Sequence, residues 1–112
     1  MQKKIFIPTI TGFNCFNIDE IIFLESKSNY TKIIFINKSE LVSIPLKRFE
    51  DKLDNNFFRI HNSYIININF LKGIIKGKTN KVKLTGNFIL PISNSKKKYF
   101  YEYLKKMVKI FD

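Results

Sequence analysis

Phe57-Phe58-Arg59-Ile60-His61-Asn62-Ser63-Tyr64-Ile65-Ile66-Asn67 sets one basic and three polar side chains between two apolar groups. Tyr64-Ile65-Ile66 is strand-like, because aromatic and β-branched side chains suit a pleated, half-buried surface. Phe57-Phe58 returns the chain to the core on the other side. The polar middle then falls at a strand edge. A chain made of such pieces is mainly β, with loops carrying the exposed chemistry.

The same grammar extends outward. Upstream, Ile21-Ile22-Phe23-Leu24 is a buried run and Ser26-Lys27-Ser28-Asn29 a loop by composition. Tyr30 to Ile36 and Leu41 to Ile44 read as two strands joined at Asn37-Lys38-Ser39. Pro8 suits Lys3 to Ile10 to an edge strand, and Thr11-Gly12 turns into a strand from Phe13 to Ile18. Pro45 opens a short helix whose stripe is Leu46, Phe49 and Leu53, ended by Asp54-Asn55-Asn56. Downstream come strands at Phe70 to Ile75, Lys81 to Leu84 and Phe88 to Ile92, separated by turns. Phe100, Tyr103, Leu104, Met107, Val108 and Phe111 then recur at helical spacing, with Ser93 or Ser95 as the expected cap.

With 112 residues the chain has room for one domain, expected to span 1–112, and 45% hydrophobic residues are enough for a real core. No apolar run approaches the ~20 residues needed to cross a bilayer. Ile5-Phe6-Ile7 before Pro8 is too short for a signal-peptide core, and Cys15 has no partner for an internal disulfide. These features together lead us to expect a cytoplasmic protein with no membrane association. His61 and Cys15 are the sole histidine and cysteine, so a four-ligand zinc site is excluded and no cofactor is expected. No serine stands in a nucleophile-elbow context, and no carboxylate pair is spaced for acid–base work, so an enzyme is not expected.

The formal net charge is +11. Codon bias toward AT would raise lysine and asparagine, yet it would equally favour glutamate, and acids are scarce. Between Asp54 and Glu102 there is no acidic residue, while Arg59 and eight lysines fall there. A field of one sign attracts a polyanion. Three segments rich in short polar side chains stand within this basic protein: Glu25 to Lys32, Phe57 to Asn67, and Leu90 to Lys96. Asn pairs with adenine edges, Ser and Thr reach several bases, and Lys and Arg reach phosphate or guanine. Taken singly, each loop is explained by turn propensity alone.

The central string, with Phe58, Arg59, His61, Asn62, Ser63, Tyr64, Ile65, Ile66 and Asn67, resembles the signature of the LytTR DNA-binding domain. That domain is the effector of LytR/AgrA/AlgR-type bacterial response regulators. Ile21 to Glu25 with Asn29-Tyr30-Thr31, Leu46 to Leu53, and Leu90 to Ser93 resemble its flanking blocks, so the likeness runs from about Lys3 to Val108. The resemblance implies several short antiparallel sheets with a short middle helix and a C-terminal helix. It implies a double-stranded promoter DNA partner, read by loops in successive major grooves, with two copies as a homodimer on repeated half-sites. Thr31, Asn62, Ser93 and Asn94 match the base-contacting positions. Lys32, Lys47, Arg48, Arg59, Lys96, Lys97 and Lys98 are the candidate phosphate contacts, and His61, Ser63 and Tyr64 the positioning groups. Asn62 and Asn94 stand where many members carry Arg, which shifts the expected readout from guanine toward adenine. A free-standing regulator, with no receiver domain ahead of the module, is expected. Two other readings are a single-strand-binding β module with stacking aromatics, and a protein-interaction module using the C-terminal helix.

Overall fold

The structure is a computed structural model and describes residues 3–111; Met1 and Gln2, at the head of the stretch read for a signal peptide, and Asp112 lie outside the described residues. Ten strands and two α-helices follow in order. They are β1 (Lys4–Thr9), β2 (Gly12–Asn17), β3 (Ile21–Lys27), β4 (Tyr30–Phe35), β5 (Ser39–Val42), α1 (Leu46–Glu50), β6 (Phe57–His61), β7 (Tyr64–Asn67), β8 (Leu71–Ile75), β9 (Lys81–Leu84), β10 (Phe88–Pro91) and α2 (Asn94–Met107). All pairings are antiparallel. They form a β1–β2 hairpin, a three-stranded sheet β10-β9-β8 and a five-stranded sheet β5-β4-β3-β7-β6. The fold is mainly β, with short antiparallel sheets and two helices, as the sequence implies.

The five-stranded sheet is the middle layer, which explains the unbroken apolar run in β3. Ile21 and Leu24 face one core with Ile33, Ile65, Phe49 and the hairpin residues Ile7 and Phe16. Ile22 and Phe23 face the other with Ile66, Val82, Leu90, Phe100 and Leu104. A strand buried on both faces has no polar alternation to show. The register shift between Ile21 and Phe23 lets two successive side chains serve the same core. Phe100 is fully buried on the second face, a contribution of roughly 1.5–3 kcal/mol for one such side chain.

Some boundaries differ from the sequence reading. Pro45 is the N-cap residue of α1 rather than its first helical residue, and the helix ends at Glu50. The last two members of the C-terminal stripe lie beyond α2: the helix stops at Met107, and Val108 and Phe111 are exposed. Phe57–His61 is itself a strand, the edge of the central sheet. Asn67 is buried: its amide donates to the Ile21 carbonyl at 2.9 Å and its Oδ1 accepts from Asn69 N–H at 3.0 Å. The last residue of the signature therefore locks β7 onto the start of β3.

Candidate nucleic-acid interface

Two backbone hydrogen bonds assemble the polar segments. Ser26 N–H, at the end of β3, donates to the Ser63 carbonyl in the β6–β7 turn at 2.8 Å. Ser93 N–H, just ahead of α2, donates to the Ile60 carbonyl of β6 at 2.9 Å. The β3–β4 turn, the β6–β7 turn and the start of α2 thus occupy one end of the molecule in that order. Sheet pairing sets this arrangement, because Glu25 is opposite Tyr64 and His61 is opposite Tyr64 across the next pair.

The middle turn is held from both sides. Ser63 N–H donates to His61 Nδ1 at 3.0 Å, so the ring closes the turn it precedes. The His61 and Tyr64 rings lie 5.5 Å apart. Arg59 Nη2 donates to the Asn62 carbonyl at 2.6 Å and Nη1 to Glu50 Oε1 at 3.0 Å. His61, Ser63 and Tyr64 therefore flank the turn on either side of Asn62, whose side chain is left exposed at the tip.

Two expected contacts are placed differently. Thr31 is fully buried, and its hydroxyl donates to the Ile44 carbonyl at 2.7 Å, fastening the segment after β5 onto β4. With its one donor used and no surface exposed, it has nothing to offer a base. The exposed polar groups of that turn are Ser28 and Asn29 instead, with Ser28 at φ 62. Arg59 does not project as a phosphate contact either. Both terminal nitrogens are bonded within the protein, and its Nε is buried without a partner. Its spacing in sequence could not show that Glu50 comes to meet it across the α1–β6 connection.

The remaining residues divide into two groups. Asn94 is exposed as the first residue of α2, and Ser93 is half-buried at its N-cap. Ser93 makes no side-chain cap bond, its hydroxyl lying 3.4 Å from that of Ser95. The expected cap is therefore absent, and the first turn of α2 also has no acidic residue. Lys97 and Lys98 are exposed there and Lys96 half-exposed. Uncapped N–H groups and cations at a helix start favour an anion. Lys32 is half-exposed on β4; Lys47 and Arg48 are exposed on α1. Arg48 turns toward β1, where it lines a cleft.

One group was missed. Ile92 N–H donates to the Asn80 carbonyl at 2.8 Å, and Asn80 also bonds the Tyr101 hydroxyl at 2.9 Å. The β8–β9 turn, with exposed Lys76 and Lys78, is thereby anchored beside the start of α2. The acid-free stretch contained the signal, but only the fold says which of its lysines adjoin the loops.

No cluster of three His, Cys, Asp or Glu suited to a metal occurs among the described residues, and no described helix is long and apolar enough to cross a membrane. One-signed charge gathered beside polar turns on an antiparallel scaffold defines a nucleic-acid-binding domain. The model of the LytTr DNA-binding domain family matches residues 12–105, and the chain belongs to that family. It is therefore a DNA-binding domain of transcription regulation, in a family of DNA binders rather than of catalysts. Its fold is similar to the solved LytTr DNA-binding domain of a methyl-accepting/DNA response regulator from Bacillus cereus. The two share 25% identity and a TM-score of 0.77, over 90% of this chain and 95% of that one. No curated protein matches the chain.

Proposed function

We propose that the protein is a cytoplasmic regulator that recognises specific sequences in double-stranded promoter DNA through loops entering the major groove, two copies occupying repeated half-sites. The observation that carries this reading is the pair of backbone bonds, Ser26 to Ser63 and Ser93 to Ile60, that gathers the three polar segments at one end. Asn62 and Asn94 are the base readers, joined by Ser93 and, in the first turn, by Ser28 and Asn29. Asparagine in the middle turn and at the start of α2 favours adenine, whose N6 and N7 match its amide. Lys96, Lys97 and Lys98, with Lys76 and Lys78 alongside, hold the phosphates on one flank; Lys32, Lys47 and Arg48 serve the other. The uncapped start of α2 supports the first of these.

Burial of the aromatics favours this duplex reading over single-strand binding. Phe16, Phe23, Phe35, Phe49 and Phe100 are core residues, which leaves no stacking platform on the central sheet. A random-duplex selection followed by titration tests the proposal. Neutralising ~5 phosphates gives a log–log salt slope of about −4 to −5. Asn62→Ala is expected to cost about 1–3 kcal/mol on the selected site and little on random duplex. Lys97→Ala is expected to weaken both alike. Equal losses for the two variants on both duplexes would refute base reading by Asn62.

A further inference from the structure

Among the described residues β1 pairs only with β2, which leaves its other edge without a strand partner, on a strand that plays no part in the three polar turns. Pro8 fixes the parity of the hairpin. It stands opposite Phe13 and has no N–H, so the ladder bonds run through Ile7 and Thr9 and then through every second residue. Ile18 N–H donating to the Lys3 carbonyl at 2.9 Å continues the same parity at the far end. Lys4 and Phe6 therefore point their N–H and C=O groups away from β2, and Pro8 its C=O. None of these backbone groups bonds to another element among the described residues.

That edge opens onto a cleft of about 400 Å³. Lys4 to Pro8 form one wall, and Ile44, Arg48, Phe49 and Lys52 line the rest together with Ile18; no residue of β2 takes part. The charged lining residues, Lys4, Arg48 and Lys52, are all cations. Arg48 and Lys52 have no carboxylate partner among the described residues. Phe6 is 65% exposed beside them.

A ligand that satisfies both features needs alternating backbone donors and acceptors along one side and negative charge on its side chains. A second copy of this chain fails the second requirement, since it carries +11 and would bring its own Lys3-Lys4 against the same cations. We infer that β1 and α1 form a docking groove for an extended acidic-apolar peptide segment of a partner protein, which adds as a third strand to the β1–β2 hairpin. Main-chain bonds to Lys4 and Phe6 give the affinity, and Lys4, Arg48 and Lys52 select for acidic side chains. Lys4 and Pro8 also guard the edge against self-pairing, as lysine and proline do on open strands.

The test uses isotope-labelled protein and an end-blocked nonapeptide alternating glutamate with valine. Titration is expected to shift the Lys4 and Phe6 amides and to slow their hydrogen exchange. The same peptide N-methylated throughout, which keeps its side chains but has no N–H, is expected not to bind. Lys52→Glu is expected to weaken the peptide about 3- to 10-fold, as when one exposed charge pair becomes a repulsion, with an unchanged melting profile reporting the fold. Unmoved Lys4 and Phe6 amides would overturn the inference. So would equal binding of the N-methylated peptide, or shifts confined to Lys96 to Lys98, which would indicate undirected attraction to the basic end. Lys4, Phe6 and Lys52 lie outside the residues assigned to DNA, so these outcomes are read independently of DNA binding; Arg48, which is assigned to both, is left unchanged in the test.

Discussion

Arg59 holds Asn62 by its backbone rather than its side chain: the guanidinium donates to the Asn62 carbonyl at 2.6 Å while its other arm is fixed on Glu50 at 3.0 Å. The α1 helix thereby braces the turn that presents Asn62. A charge-assisted bond of this kind contributes about 1.5–3 kcal/mol where it is well desolvated, and the Arg59 side chain is only 20% exposed. The planar fork spans two acceptors that an ammonium cannot reach together.

Arg59→Gln, which removes the charge as well as the fork, is therefore expected to lower affinity for the preferred site while leaving the salt slope of binding unchanged. A phosphate contact would behave differently, since its loss reduces the slope by about 0.9. Fluorescence titrations from low to moderate salt separate the two roles. Glu50→Gln is expected to give a smaller loss in the same direction, because it weakens the brace without freeing the guanidinium from Asn62. A slope shallower by about one unit in Arg59→Gln would return that residue to the phosphate set.

Thr31 furnishes the complementary case, a polar residue in a reading segment whose role is structural. Replacing it with valine keeps the shape but leaves the Ile44 carbonyl without its 2.7 Å donor. An unsatisfied buried acceptor costs about 1–3 kcal/mol, so Thr31→Val is expected to lower the unfolding free energy by that amount, seen as a lower denaturant midpoint at unchanged m. Thr31→Ser retains the hydroxyl and is expected to lose less. The sequence preference recovered by duplex selection should be the same for all three proteins. A changed preference in Thr31→Val would show that the residue reads bases after all.

The two misplaced contacts mark what the amino-acid order could convey. Strand positions were legible because Val82 and Leu84 alternate with Lys81 and Lys83, and because turn residues such as Gly86 punctuate them. Gly86 takes φ +90, and a Cβ there would lie 2.9 Å from the Phe88 ring. The central string located the middle turn because its residues act on one another locally, as His61 does on Ser63. The internal bonds of Thr31 and Arg59 were not legible, because their partners, Ile44 and Glu50, are brought to them only by the packing of β5 and α1. Polar residues look alike in sequence whether their hydrogen bonds go to solvent or to a distant carbonyl. The two layers of core were likewise hidden in the uninterrupted Ile21 to Leu24 run, where both faces demand apolar side chains.

Asp54 ties the N-terminal strand to the connection between α1 and β6, and this tie is pH-dependent. Its carboxylate bonds Lys3 Nζ at 2.9 Å and Asn56 N–H at 3.0 Å. Partial burial pushes the carboxyl pKa up, but the Lys3 ammonium and the Asn56 N–H outweigh it, and the net displacement is below the usual carboxylate value. A carboxyl whose pKa falls on folding adds stability above its unfolded value, near 4, and loses it as pH drops through the lowered folded value. Asp54→Asn, which mimics the protonated side chain, is thus expected to melt below the parent at pH 6 and to converge with it as pH falls through the lowered folded value. Lys3→Ala should narrow the same gap from the other side of the pair. Thermal melts between pH 2 and 7 supply the comparison. A difference between parent and Asp54→Asn that stayed constant across that range would mean that the carboxyl pKa does not fall on folding and that the tie is independent of pH.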